Sequence, residues 1–364
     1  MNREDIMCPG ETIKELLEIY HYNQQNLADK LNMDLKTINE ILNGKAPITV
    51  ETAMKLEMIF NVDASFWNNL EFNYRKQIKQ IEQKEIIEQE YEIVKKVYKE
   101  MVQRKIVEDT KEKCKVVESF KKFMEVTSLE NLKSEYYEVA CRQANIKGFN
   151  YVNLMVWIQI GLKRAREIEV KDYSRDKILD KIQEIRYLTL LRDQNKARKE
   201  LIKICNECGI IVIFEKSMPN TAIYGIAKWL NSKTPYIQIS DRGKNESTFW
   251  FSFMHELGHI VNGKKKKIFI DTEDKVVDED ENIQLLKECE EIKADNFARN
   301  ALLPDKNYKI FFERIKDNKI KFSDITNFAK EMSVAPYIVA GRLKYDLNKY
   351  NDKTLNYFNV KMEF

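Results

Sequence analysis

The sequence predicts an α+β, mostly helical protein: an N-terminal helix-turn-helix bundle, a helical connector, and a C-terminal domain combining a small β-sheet with a helix that carries HExxH. Three observations lead there. The first 76 residues read as short helices separated by turn residues, and at Gly209 the hydrophobic spacing changes from helical to strand-like. The stretch "FWFSFMHELGHIVNG" (249–263) then places His255 and His259 one helical turn apart. With only three histidines in 364 residues, two rings on one turn imply a shared target.

Composition bounds the reading. A chain of 364 residues can hold two or three domains, each with its own core. The cysteines at 8, 114, 141, 205, 208 and 289 show no framework spacing and read as reduced thiols of a cytosolic protein. The opening "MNREDIMCPGE" lacks the cationic and apolar regions of a secretory signal. The longest apolar run, 151–162, carries Asn153 and Gln159 and is too short to cross a bilayer. A soluble, cytoplasmic chain with no membrane partner is expected.

Taken in order, Glu11 to Tyr20 form a first helix, Asn23 caps "QQNLADKL", and "MDLKTINEIL" follows a three-residue turn. Leu27, Ala28, Leu31, Ile38 and Ile41 have helix-turn-helix spacing. After the loop "NGKAPIT", Glu51–Phe60 and Ala64–Tyr74 complete the module, residues 1–76. From Arg75 to about Arg104, Ile78, Ile81, Val94, Val97, Tyr98 and Met101 recur at helical intervals among Lys, Glu and Gln, which reads as a long exposed connector. Helical segments continue to about Cys208, so residues 77–200 are expected to hold the connector and a helical subdomain. Residues 201–364 form the third domain. There "IIVIF" (210–214), "AIYGIAKWL" (222–230) and "YIQIS" (236–240) read as strands. Helix resumes near Ser247 and stops at Asn262 and Gly263, residue types that favour a left-handed cap. "DTEDKVVDEDE" (271–281) reads as a loop, "CEEIKADNFARNALLP" as a helix ended by Pro304, and "DITNFAKEMSVAPYIVAGRLKYDL" as two short core helices.

On a helix, residues four apart lie about 40° apart around the axis and about 6 Å along it, so the imidazoles of His255 and His259 can converge on one ion. Glu256 points about 100° aside, close enough to take a proton from an attacking water and pass it to a leaving amine. A catalytic zinc takes three protein ligands. With no third histidine nearby, the ligand must be a carboxylate: Glu291, with Glu288, Glu290 and the acidic loop as competitors. If Glu291 ligates, Asp295 one turn on is placed to hold the far nitrogen of a ligating histidine. For the developing oxyanion, Tyr224 and Arg342 are candidates that spacing does not separate from ordinary packing roles.

These stretches, with "EEIKADNFARNALLP" and "APYIVAGRL", resemble the ImmA/IrrE family of zinc metallopeptidases in its fusion to a HigA-like, XRE-type helix-turn-helix domain. The likeness extends to "PGETIKELLE", "LNGKAPITVETAMKLEMIF", "SFWNNLEFNY", "VWIQIGLKRAREIE" and "IRYLTL". It implies a zincin-like fold, one Zn2+ held by His255, His259 and Glu291, and Glu256 as general base. Family members cleave a DNA-binding repressor encoded beside them, which implies a repressor or antitoxin-like protein substrate and a role in transcription control or a stress or mobile-element response. Lys293 stands where the family has Glu before the Ala of ExxAD, a position that is not a ligand.

The helix-turn-helix would face a DNA groove with Lys36, Thr37, Asn39 and Glu40 and set Gln24 and Lys45 near phosphates. A homodimer would match two half-sites. Its charge argues otherwise: residues 1–76 hold eight Lys/Arg against twelve Asp/Glu, a poor match to a polyanion, so a protein-docking scaffold is the competing reading. Cys205 and Cys208 read as buried thiols, "KKKK" (264–267) as a solvated loop that could also guide an acidic segment, and His21 as a packing or surface residue. The expected function is a zinc endopeptidase that cleaves a regulatory protein. The alternative is a non-proteolytic regulator or antitoxin-like binder with an idle or structural metal site.

Overall fold

Side-chain caps punctuate the N-terminal helices. α1 (Pro9–Ile19) starts behind Cys8, whose Sγ accepts the Gly10 N–H at 3.4 Å. Asn23 and Asn26 form a reciprocal capping box ahead of α2 (Gln24–Leu31), and Asp34 accepts the Thr37 N–H at 2.8 Å ahead of α3 (Leu35–Leu42). Thr49 caps α4 (Val50–Phe60), and left-handed Asn32 and Asn61 close α2 and α4. Leu27, Ala28, Leu31, Ile38 and Ile41 share one core with Trp67, as the spacing requires.

The computed structural model describes residues 6–130, 132, 149–263, 269–272 and 281–362. The lysine run 264–267 and most of the acidic stretch, residues 273–280, lie outside them. Two compact units emerge, 1–123 and 124–364. α5 (Ala64–Gln103), a single helix of 40 residues, fuses the last helix of the bundle to the connector. It contains no Gly or Pro to stop it, and residue 76 sits in its interior. Nor is it exposed throughout. Val94, Val97, Tyr98 and Met101 are buried, as are Val116, Val117 and Phe120 of α6 (Lys113–Met124), and Lys121 pairs with Glu90 at 2.6 Å.

In the C-terminal unit, β1 (Ile211–Phe214), β2 (Ile223–Trp229) and β3 (Pro235–Ile239) match the three expected strands. A fourth, β4 (Phe269–Thr272), takes in residues 271 and 272 of the expected acidic loop. Flanked by a lysine run and an acidic run, four residues give no alternation to detect. The order is β1-β3-β2-β4. β1 runs parallel to β3, whereas β2 is antiparallel to both β3 and β4, with a register shift between Ile223 and Gly225.

α7 (Tyr151–Arg166) backs one side of this sheet. Gly161 leaves no room for a side chain beside Gln238, whose Nε2 donates to the Trp157 carbonyl at 2.8 Å. After α8 (Arg175–Asp180), α9 (Ile182–Leu188) and α10 (Gln194–Glu207), the chain enters the sheet. The HExxH helix, α11 (Glu246–Asn262), is capped by Asn245. It ends where expected, but Gly263 is extended (φ −83°) rather than left-handed, its N–H still bonded to the His259 carbonyl. Arg175 donates to the Val261 carbonyl at 3.0 Å, satisfying one of the orphan acceptors at that end. α12 (Glu281–Leu302) receives the same treatment from Arg186, at the Ala301 carbonyl. α13 (Asp305–Ile315), α14 (Phe322–Met332) and α15 (Pro336–Asp346) bury Phe311, Phe328 and Leu343 in the core shared with Phe253 and Leu257 of α11. The tail is therefore core, as its sequence suggested.

Candidate metal centre

α11 is enclosed on every side: Phe253, Leu257 and Ile260 fill the apolar core, and Glu256 (0% exposed) and His259 (2%) are buried as well. Such burial of polar groups is costly unless each finds a partner. For the two histidines the partners come from α12, which the close crossing at Gly258 brings against α11. A Cβ at Gly258 would lie 3.0 Å from the Ala294 Cα and 3.1 Å from its carbonyl oxygen. Neither small residue stood out in the sequence as functional, yet together they set the distance from which Glu291 reaches across.

His255 Nε2 and His259 Nε2 are 2.9 Å apart, and Glu291 Oε2 lies 3.2 Å from the first and 3.5 Å from the second. His255 Nδ1 meets Asp295 Oδ1 at 2.9 Å. Donated to Asp295, that Nδ1 proton leaves Nε2 presenting a lone pair. With His259 in the same tautomer, three lone-pair atoms would face one another, an arrangement that needs a proton or a cation among them. Metal–ligand bonds of about 2.0–2.2 Å at tetrahedral angles would separate donor atoms by roughly 3.3–3.6 Å. The observed spacings come within about 0.4 Å of that range, and two imidazoles with one carboxylate form a donor set suited to zinc. Among the described residues, His255, His259 and Glu291 are the one group with metal-ligand geometry. Glu290 is not in it, and the side chain of Glu288 lies outside the described residues.

Charge follows from these contacts. Burial would raise the Glu291 carboxyl, but hydrogen bonds from His255 and His259 outweigh it and hold the group far below the usual range. Asp295 shows the same balance, burial overcome by its bond to His255. Burial drives His259 the other way, toward the neutral form, against the pull of Glu291. All three values are depressed relative to the unfolded chain, so each contributes stability that is complete above its ordinary value and lost as pH falls. The ordinary values are 6.5 for His259, 4.5 for Glu291 and 3.8 for Asp295. In chelator, the urea midpoint of the protein should therefore drop as pH is lowered through 6.5 and again below 4.5. A midpoint that stays flat from pH 7.5 to 4 would contradict this balance of charges.

Tyr224 sits on β2 with the Arg242 guanidinium over its ring at 5.2 Å. Arg342 binds Asp346 at 2.6 Å and covers the Tyr308 ring at 4.8 Å. Cys205 and Cys208 are buried, and burial pushes both thiols up. His21 is exposed, in a left-handed turn after α1.

In the bundle, Gln24, Lys36, Asn39 and Lys45 are exposed, with Lys36 4.0 Å from Glu40. Thr37 is committed locally, its hydroxyl donating to Asp34 at 2.7 Å. It helps to start the helix that would enter a groove.

Fold and site together define a class: a helix-turn-helix domain and, behind it, a domain with the HExxH-helix arrangement of metallopeptidases. Comparison with known proteins makes this specific. Residues 206–344 match the model of the IrrE N-terminal-like domain and residues 13–67 that of the helix-turn-helix domain. The chain thus carries an IrrE/ImmA-like peptidase domain over residues 206–344 and an XRE-type helix-turn-helix domain at its front. Two solved structures are similar to part of it. One, described as an antidote protein of a plasmid maintenance system from Nostoc punctiforme, is 31% identical over 23% of this chain and 91% of that one, with a TM-score of 0.22. The other, an addiction module antidote protein of a HigA family from Coxiella burnetii, is 30% identical over 23% of this chain and 94% of that one, also at 0.22. No curated protein matches the chain.

Proposed function

We propose that the protein is a zinc-dependent endopeptidase, coupled to a DNA-binding module, that cleaves a regulatory protein of the repressor or antitoxin kind. The observation that carries this reading is the convergence of His255 Nε2, His259 Nε2 and Glu291 Oε2 beside the buried carboxylate of Glu256. When bound, zinc supplies a Lewis acid that polarises a carbonyl and acidifies water. His255, His259 and Glu291 would hold it. Asp295 fixes the His255 ring and its tautomer, and in comparable sites loss of such a partner costs about 10–100-fold in metal affinity. Glu256 takes the proton of the attacking water and delivers it to the departing amine, so one carboxylate serves as base and then acid.

In the bundle, exposed Lys36 and Asn39 on α3 would meet base edges, with Gln24 and Lys45 beside phosphates. The module carries an excess of acidic residues, so the affinity of one copy would be low and would gain from a second copy on a symmetric site.

Purified protein, loaded with one zinc per chain, should cleave the regulatory protein encoded by its neighbouring gene. Cleavage should stop with chelator and return with added zinc. A full-length, correctly folded preparation that binds no stoichiometric metal sinks the proposal.

A further inference from the structure

We propose that Gly225 is a positioning residue for Glu256: its missing side chain forms the slot in which the carboxylate of the general base lies. The inference rests on the peptidase reading above for its catalytic consequence, though not for the contact itself.

Glycine weakens a strand, since it adds backbone freedom and no packing, so one in the middle of β2 calls for a reason. Backbone conformation does not supply it. Gly44, Gly209 and Gly243 have positive φ, whereas Gly225 is not among the residues in that region. Space does. A Cβ built on Gly225 would stand 2.8 Å from Glu256 Cγ, 3.0 Å from Glu256 Oε1 and 2.9 Å from Ile239 Cδ1. Glu256 is fully buried and Ile239 belongs to β3, directly paired with Gly225, so neither neighbour has open solvent to retreat into. The Glu256 contact involves a mid-chain carbon as well as the carboxylate, so a methyl group would shift the whole end of the side chain by several tenths of an ångström. The register shift between Ile223 and Gly225 falls at this point, as bulges beside active sites often do. β2 thus presents bare backbone to the one carboxylate that must sit close to, and not on, the metal ligands.

The test is Gly225→Ala in the full-length, zinc-loaded protein, with Ile239→Val and Glu256→Ala as partners. Expected for Gly225→Ala are one zinc per chain, a KM for the neighbouring-gene substrate within twofold of the parent, and kcat at least tenfold lower. Removing the Ile239 Cδ1 atom gives the added methyl somewhere to go, so Gly225→Ala/Ile239→Val should recover most of kcat. A second measurement does not depend on activity. Gly225→Ala should lower the urea midpoint clearly less in a Glu256→Ala background than in the parent, because two of the three obstructing atoms are then gone and only Ile239 Cδ1 remains. An unchanged kcat, or a midpoint loss equal in both backgrounds, overturns the proposal. Should the parent cleave nothing, the peptidase reading fails by itself, and the two-background comparison still decides whether Gly225 makes room for Glu256.

Discussion

Glu256→Gln is expected to lower kcat by a factor of about 10²–10⁴, the usual contribution of a positioned general acid–base, while zinc remains bound at one per chain. The amide is nearly isosteric with the carboxylate, so the buried slot under β2 stays filled and the three ligand atoms, none of which belongs to Glu256, keep their places. What disappears is a group able to accept a proton. Cleavage rates of the parent and variant on the same substrate, with metal content measured on both, provide the check. Activity within tenfold of the parent would remove Glu256 from the mechanism. The variant also separates the two classes of function. A regulator with an idle metal would tolerate it in the cell, and only substitutions in the helix-turn-helix would then change the phenotype.

Arg198→Met should destabilise the C-terminal unit by about 3–5 kcal/mol, the cost of stranding one member of a buried ion pair. Arg198 on α10 meets Glu246, the first residue of α11, at 2.6 Å with both side chains almost wholly enclosed, and its guanidinium also covers the Phe249 ring at 4.6 Å. Burial pushes the Glu246 carboxyl up, and Arg198 is what opposes that push. Without the cation Glu246 would be protonated or would draw water into the base of the catalytic helix. Arg198→Met/Glu246→Leu should recover much of the loss, because two apolar side chains of similar volume carry no desolvation penalty. Urea unfolding of the two variants and the parent decides it. A single variant within about 1 kcal/mol of the parent would mean that water already reaches the pair.

Much of the N-terminal bundle was legible because its signals are local. Asn23, Asp34 and Thr49 cap helices through their own neighbours three residues on, and apolar spacing within α2 and α3 names the buried face. The connector was misjudged for the opposite reason. Whether Val94, Val97, Tyr98 and Met101 are exposed depends on α6, which returns along the chain only after residue 113. β4 escaped for want of length, and the pairing of β1 with β3 across the β2 hairpin has no sequence signature at all.

The site divides the same way. His255, Glu256 and His259 could be read together because a helix fixes their mutual directions within one turn. In the sequence Glu291 competes with Glu288 and Glu290, whereas the crossing at Gly258 and Ala294 is what brings Glu291 against both rings. Gly225 carried a readable sign, a glycine within "IYGIAKW", but nothing in that stretch says that the atom it spares room for belongs to residue 256. Sequence by itself determined the pieces whose parts lie within a turn or a cap of one another: the helix-turn-helix, the strands, the HExxH face. Tertiary structure alone decided that Glu291 comes within reach of both imidazoles, that Gly225 lies against Glu256, and that Arg198 and Glu246 form a buried anchor. Each of these joins residues dozens of positions apart, and only the packing of one helix or strand on another determines which side chains can touch.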